Sequence, residues 1–277
     1  MRLRTKLLLA AVTVFVLALA YAVYAAFHGS PVQRYRTTRG ARAYVAATYP
    51  GEPYTVEDAT YDFKMAGYYC RVNDAAHADG WFDVRKNSDG WTDDRVRRVE
   101  GRENTLMRLA KALDDDAEQL LKERFPHRTG LVLCDPVSRE IPEETLSAVP
   151  LDLPYDRMHF PYPATLTVWV ETEQNAPTWD ELAARLTELE AIVAEELPCV
   201  DSFSVTVQWP YAEHNGAWVP ERYDGMPACF DLPREIVRSE SLRDALAVQR
   251  AAQEAEEAAL ATGAFEGKET AVTAETP

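Results

Sequence analysis

Leu7 to Phe27 reads LLLAAVTVFVLALAYAVYAAF, an apolar run without one charged side chain, and no other feature limits the chain so much. A helix of this length matches the hydrocarbon thickness of a bilayer. It pairs its backbone polar groups internally, as lipid demands. Arg2, Arg4 and Lys6 precede the run, and flanking cations of this kind stay in the cytoplasm, which sends residues 28–277 outward. Arg34, Arg36, Arg39 and Arg42 pull the other way: they follow the span with no nearby acid, and either hold the C-terminal side inside or lie against anionic headgroups. Met1–Lys6 is too short to be a domain and has the form of an export n-region, so outward is the expectation. Ala20-Tyr21-Ala22 satisfies the small-x-small rule of signal peptidase and allows a secreted product. The run nevertheless exceeds the usual h-region of about 7–15 residues and continues through Phe27, which favours an uncleaved signal-anchor.

The remainder is strongly acidic. Removing the three cations ahead of the span takes its formal charge from −16 to −19. A body of that sign is a poor partner for nucleic acid or any other polyanion. The cysteines, Cys70, Cys134, Cys199 and Cys229, allow two disulfides in three connectivities, with buried free thiols as the alternative. Cys199 with Cys229 closes the shortest loop and is the first candidate pair. The spacings match no metal signature, because ligands come in close pairs, and no cofactor is implied.

Residues 33–49 read as a helix stopped by Pro50-Gly51, with Tyr44, Val45 and Thr48 on one face with Ala41. Strand signals follow at Tyr54–Phe63, Gly67–Val72, Trp81–Lys86 and Trp91–Val99. The turns between them are Lys64-Met65-Ala66-Gly67 and Asn87-Ser88-Asp89-Gly90. The string YPGEPYTVEDATYDFKMAGYYCRV, and then WFDVRKNSDGWTDD, resembles small membrane-anchored proteins of Gram-positive bacteria of the YfjL-like kind. That resemblance covers about residues 1–97. It implies surface exposure and an α+β fold, and it carries over no activity and no catalytic residue.

Beyond it, Glu103–Phe125 is a clear helix with Leu106, Leu109, Leu113, Leu120 and Leu121 in a stripe filled by Ala110 and Ala117. Asp114-Asp115-Asp116 is expected to face solvent. Thr129–Cys134 reads as a buried strand, and residues 135–163 as a proline-rich loop carrying Tyr155, Met158, His159, Phe160 and Tyr162. Loops of this length are often functional, so these five are the candidate partner-binding residues; packing over a sheet edge is the plainer account. Ala164–Glu171 alternates as a strand. Thr178 and Glu181 form a capping-box pattern ahead of a helix to Leu197 with Leu182, Leu186, Leu189, Val193 and Leu197 on one face. Ser202–Trp209 is the next strand, which makes a parallel βαβ unit. Residues 210–232 read as loop with a turn at Asn215-Gly216, then a solvated Ala/Glu-rich helix to about Ala261 and a disordered tail from Gly263.

The expected architecture is α+β: a transmembrane helix at 1–27, a helix-plus-antiparallel-sheet domain at 33–100, a second, split-βαβ-like domain at 103–232, and a helix and tail at 233–277. No motif commits the body to a reaction. There is no Gly-x-Ser-x-Gly elbow and no His-x-x-x-His pair, and Arg85–Val96 fits a calcium loop badly because Arg85 opens it and Val96 replaces the bidentate acid. Asp58/Asp62 and Asp93/Asp94 are carboxylate pairs of the kind glycosidases use, although so acidic a chain produces them by chance. The expectation is a membrane-tethered, extracytoplasmic, non-catalytic binding or envelope-accessory protein with an envelope protein as partner. The alternative is a hydrolase using Asp/Glu carboxylates with His159 nearby.

Overall fold

The computed structural model describes residues 3–136, 146, 148–214, 217–222 and 224–261. The chain divides into two compact units, Met1–Arg108 with Pro142–Pro154, and Leu109–Ile141 with Tyr155–Pro277. The division falls inside a helix, Glu103–Arg124 (α3), rather than ahead of it at residues 100–103. The helices after residue 233 belong to the second unit.

The first unit opens with α1, Leu3–His28, which is long and apolar enough to cross a membrane and has none of its apolar window covered by the rest of the protein. Gly29 ends it with φ +74, and a side chain there would strike Tyr61 and Tyr68. Helix α2, Pro31–Thr48, starts with proline at a first-turn position, where the missing N–H costs nothing. It buries Thr38, Ala41 and Val45, so the face is turned slightly from the expected one, which included Thr48. Five strands form an antiparallel sheet: β1 (Tyr54–Val56), β2 (Thr60–Asp62), β3 (Gly67–Asp74), β4 (Phe82–Asn87) and β5 (Gly90–Asp93), in the order β1-β3-β4-β5 with β2 also on β3.

The expected single strand Tyr54–Phe63 is two pieces on one partner. Val56 faces Val72 and Thr60 faces Tyr69, so three residues on one strand oppose two on β3. That is a bulge, and Thr38 stabilises it by accepting the Ala59 N–H at 2.8 Å. The expected strand Trp91–Val99 stops at Asp93, whose carboxylate accepts the Arg95 N–H at 3.1 Å and starts a wide helical turn over Val96–Glu100. Phe82, Val84, Cys70 and Val72 pack against Ala41 and Val45 of α2 to make this unit's core. Gly40 lets the Trp91 ring lie on the helix, since a Cβ there would sit 2.3 Å from the ring.

The second unit is built on β6 (Thr129–Pro136), β7 (Ala164–Glu171), β8 (Val200–Gln208) and β11 (Ala228–Pro233), in the order β11-β8-β7-β6. A separate hairpin pairs β9 (Tyr211–His214) with β10 (Ala217–Pro220); its Asn215-Gly216 turn lies outside the described residues. Strands β7 and β8 are parallel and joined by α4, Trp179–Glu196, while β6 and β11 are antiparallel to their neighbours. The parallel pair is in direct contact, so the βαβ unit is a plain one with no strand splitting it.

Alternation works as expected on β7: Leu166, Val168 and Val170 are buried and Trp169 is exposed. They meet Phe203, Val205 and Val207 of β8 and the stripe Leu182, Leu186, Leu189, Val193 and Leu197, all fully buried. Each such side chain contributes about 1.5–3 kcal/mol of apolar burial, which makes this the main core. After Pro233 comes a short turn of helix, α5 (Arg234–Val237), and then α6 (Leu242–Ala261). Leu242 and Leu246 are buried and Val248 is exposed, so the apolar face fades where expected. The tail from Gly263 lies outside the described residues.

Candidate functional site

In the second unit, the aromatic loop is fastened more than it is free. Phe160 and Tyr162 are buried, and Tyr155, Phe160 and Tyr162 form a chain of edge-on rings at 6.3 and 6.2 Å. The Tyr155 hydroxyl donates to Asp116 at 2.8 Å; burial and then that carboxylate push its pKa up. Arg157 reaches Glu196 at 2.9 Å. A turn over Arg157–His159, capped by Asp156, lifts Met158 and His159 into solvent. Of the five candidate binding residues, three are therefore anchors and two form the exposed tip.

Asp114-Asp115-Asp116 does not face solvent as a block. Only Asp115 does, paired with Lys111 at 2.9 Å. Asp114 accepts the Cys134 N–H at 2.9 Å and Asp116 holds Tyr155, because successive helical positions point about 100° apart. Asp135, near Asp114, is the one carboxyl in the described residues with a resolved upward shift, through burial first and the Asp114 charge second.

The four cysteines are free. Cys199 precedes Val200 at the start of β8, whereas Cys229 faces Val205. Along the strand, position 199 is six residues from position 205 at about 3.3 Å each, far beyond the ~4.4–6.8 Å that a disulfide spans. Loop length alone suggested the pair, and the strand register removes it. Burial pushes Cys70, Cys199 and Cys229 up to about 11, and Cys134 further.

A buried ionic cluster at the β7–α4 connection escaped the sequence reading. Arg185 lies 3.3 Å from Glu181, 3.3 Å from Glu188 and 3.4 Å from Glu173. His127 places Nδ1 2.7 Å from Glu173 and Nε2 2.6 Å from both Glu188 and Arg185. Glu181 also accepts from the Thr172 hydroxyl at 2.6 Å and the Glu173 N–H at 3.2 Å. Thr178 caps α4 as expected, accepting the Glu181 N–H at 3.1 Å. The Glu181 carboxylate, however, reaches Thr172, Glu173 and Arg185, so only one arm of the capping box is made. The i, i+4 spacing of Glu181 and Arg185 was the available signal; His127 and Glu173 are too far away in sequence to be paired with them. Among the described residues, no His, Cys, Asp or Glu group is arranged to hold a metal ion.

In the first unit, Asp93 is a hub: Tyr44 and Tyr49 donate to it at 2.7 and 2.9 Å. Burial, then this carboxylate, raise both phenols. Arg95 reaches Tyr54 at 3.0 Å and lies over the Tyr49 ring. Asp94 accepts the Asp83 N–H and Arg98 at 2.7 Å each. Burial opposes the outcome, but these bonds and the Arg98 and Arg97 charges hold its carboxyl below the usual range. Asp79 takes both nitrogens of an Arg108 fork at 2.9–3.1 Å.

Residues 4–93 match the family model of the YfjL-like, N-terminal domain. No curated protein and no solved structure matches the chain. The YfjL-like segment runs from α1 to the last residue of β5, so it takes in α2, the whole sheet and the Asp93 hub. The carboxylate pairs proposed from sequence lie in this segment, apart from Asp94 one residue beyond its end, and both are engaged. Asp58 faces Arg42 at 3.3 Å, Asp62 accepts the Lys64 and Met65 N–H groups of the hairpin, and Asp93 and Asp94 have the partners given above. An open hollow of about 670 Å3 beside the segment's end is lined by Asp93, Asp94, Val96, Arg97, Glu103 and Leu106. Arg97 pairs with both Asp94 and Glu103 across it. His77 and His159 pair with Asp152 and Asp156 rather than with a cysteine.

Proposed function

We propose that the chain is a membrane-tethered, extracytoplasmic binding or envelope-accessory module without catalysis of its own, with the Met158–His159 tip as its contact for an envelope protein. The observation that carries this reading is α1: a helix whose apolar run has no protein covering it, with Arg2, Arg4 and Lys6 at its N-terminal end and folded units after it. The fastened base of the aromatic loop supports the second part. A tip held by Tyr155, Phe160 and Tyr162 loses little conformational freedom on binding.

The carboxylates argue for binding over hydrolysis, because those of the two sequence pairs are engaged in ion pairs, turns or tyrosine hydrogen bonds. The hydrolase alternative rests on Asp135, whose pKa is raised beside Asp114. It lines neither the 670 Å3 hollow nor the smaller one at Arg42, Tyr49 and Tyr54. Cross-linking in intact cells from a photoreactive residue at position 158 tests the reading. It expects an adduct with an extracytoplasmic protein that a His159→Ala exchange weakens; recovery of no such protein, together with hydrolytic activity lost in Asp135→Asn, would favour the alternative.

A further inference from the structure

The β2–β3 hairpin lies beside the emerging end of α1 and presents an exposed apolar and basic tip there. Its direction follows from three contacts. Ala59, just before β2, donates to Thr38 well inside α2. Two residues later the Tyr61 hydroxyl donates to the Ala26 carbonyl of α1, at 3.2 Å. On the return strand Tyr68 meets Ser30 and the close-packed Gly29. The strand therefore runs from the middle of α2 back towards α1, and the turn over residues 63–66 continues past Ala26. Phe63 and Met65 stand 57% and 70% exposed on that turn, with Lys64 between them.

The first turns of α2 add a second patch. Val32, Tyr35, Arg36 and Arg39 fall at i, i+3, i+4 and i+7 and are all exposed, opposite the buried Thr38, Ala41 and Val45. No acid occurs on α2, although the body is acidic.

We propose that the hairpin tip, with the Val32–Arg39 face of α2, is a second membrane contact that seats in the headgroup and acyl boundary of the leaflet from which α1 emerges. The proposal rests on reading α1 as a membrane span. Apolar and aromatic side chains flanked by cations are the chemistry of that boundary, and Lys64, Arg36 and Arg39 suit anionic headgroups. One span alone leaves a body free to swivel. A contact off its axis fixes the YfjL-like sheet against the bilayer.

The test uses the full chain in vesicles of phosphatidylcholine and phosphatidylglycerol, with an environment-sensitive fluorophore on Met65→Cys in a Cys199→Ser background; the other thiols are buried. Phe15→Cys reports on the span. Ala75→Cys reports on the other end of β3, roughly 26 Å from the tip at about 3.3 Å per residue. A probe seated about 5–10 Å into the boundary is quenched by lipid doxyl groups placed near the headgroup. The proposal expects these shallow doxyl groups to quench position 65 and not position 75, and doxyl groups deep in the acyl chain to quench position 15, which lies near the midplane of the span. Quenching at 15 with position 65 as bright as 75 overturns the hairpin contact while the span stands. A label at 65 shielded from aqueous iodide but untouched by doxyl lipid marks a protein partner, and also overturns it. Loss of quenching at both 15 and 65 removes the span and the hairpin contact with it.

Discussion

Arg185→Met should be among the most damaging single changes in the second unit. The Arg185 side chain is 9% exposed and that of Glu181 2%. Removing the guanidinium leaves a buried carboxylate that still accepts from the Thr172 hydroxyl and the Glu173 N–H but has lost its cation. Breaking a buried ion pair from one side costs about 3–5 kcal/mol. Those two remaining hydrogen bonds place the expected loss near ~3 kcal/mol. Replacing Glu181 as well removes the stranded charge but leaves a hydroxyl and an N–H without an acceptor, at about 1–3 kcal/mol. The double variant Glu181→Met/Arg185→Met should therefore be no worse than Arg185→Met alone, and the two changes should be far from additive. Hydrogen exchange of the β7 and β8 amides under native conditions reads the opening free energy of this unit directly. Additive losses, or a loss below about 1 kcal/mol in Arg185→Met, would show that the guanidinium does not compensate Glu181 and would refute the reasoning.

Three further outcomes follow from the same contacts. Asp94 has a native pKa below its ordinary 3.8, so its contribution is whole above that value and fades as pH falls through the native one. Asp94→Asn should lose about 2 kcal/mol at neutral pH and flatten the acid limb of a stability–pH curve. The raised thiols have the opposite sign. Their contribution is whole below 9.0 and is lost as pH rises through about 11, so iodoacetamide near neutral pH should modify the native chain slowly, with half-buried Cys199 first, and all four rapidly in denaturant. Gly40→Ala gains up to about 1 kcal/mol of helix propensity but forces the Trp91 ring away at a cost of about 1–3 kcal/mol, for a net loss seen in thermal unfolding and a shift in tryptophan emission.

What the sequence made legible were the features set by local periodicity. The Leu7–Phe27 run, the β7 alternation and the leucine stripe of α4 each carry their own period, and each is found where expected. Features set by pairing were not legible. Strand β11 read as loop because a bulge between Cys229 and Leu232, with Asp231 at φ +47 held by Ser204, breaks its alternation. The β1–β2 bulge hid in the same way. Tyr155 could not be told from a free ring, because its anchor, Asp116, lies 39 residues earlier on α3. The YfjL-like resemblance was legible over nearly the extent of the match, 4–93 against about 1–97. It could not reach the ionic cluster of the second unit, which lies wholly beyond it.

The side of the membrane on which the folded units reside decides both the orientation of α1 and the kind of partner they can meet. A C-terminally tagged full chain, challenged with external protease in whole cells, tests this most directly. Loss of the tag before any lysis, with a cytoplasmic control protein intact, is the predicted result. A tag that survives until the cells are broken would place those units in the cytoplasm and contradict both the orientation of α1 and the envelope partner.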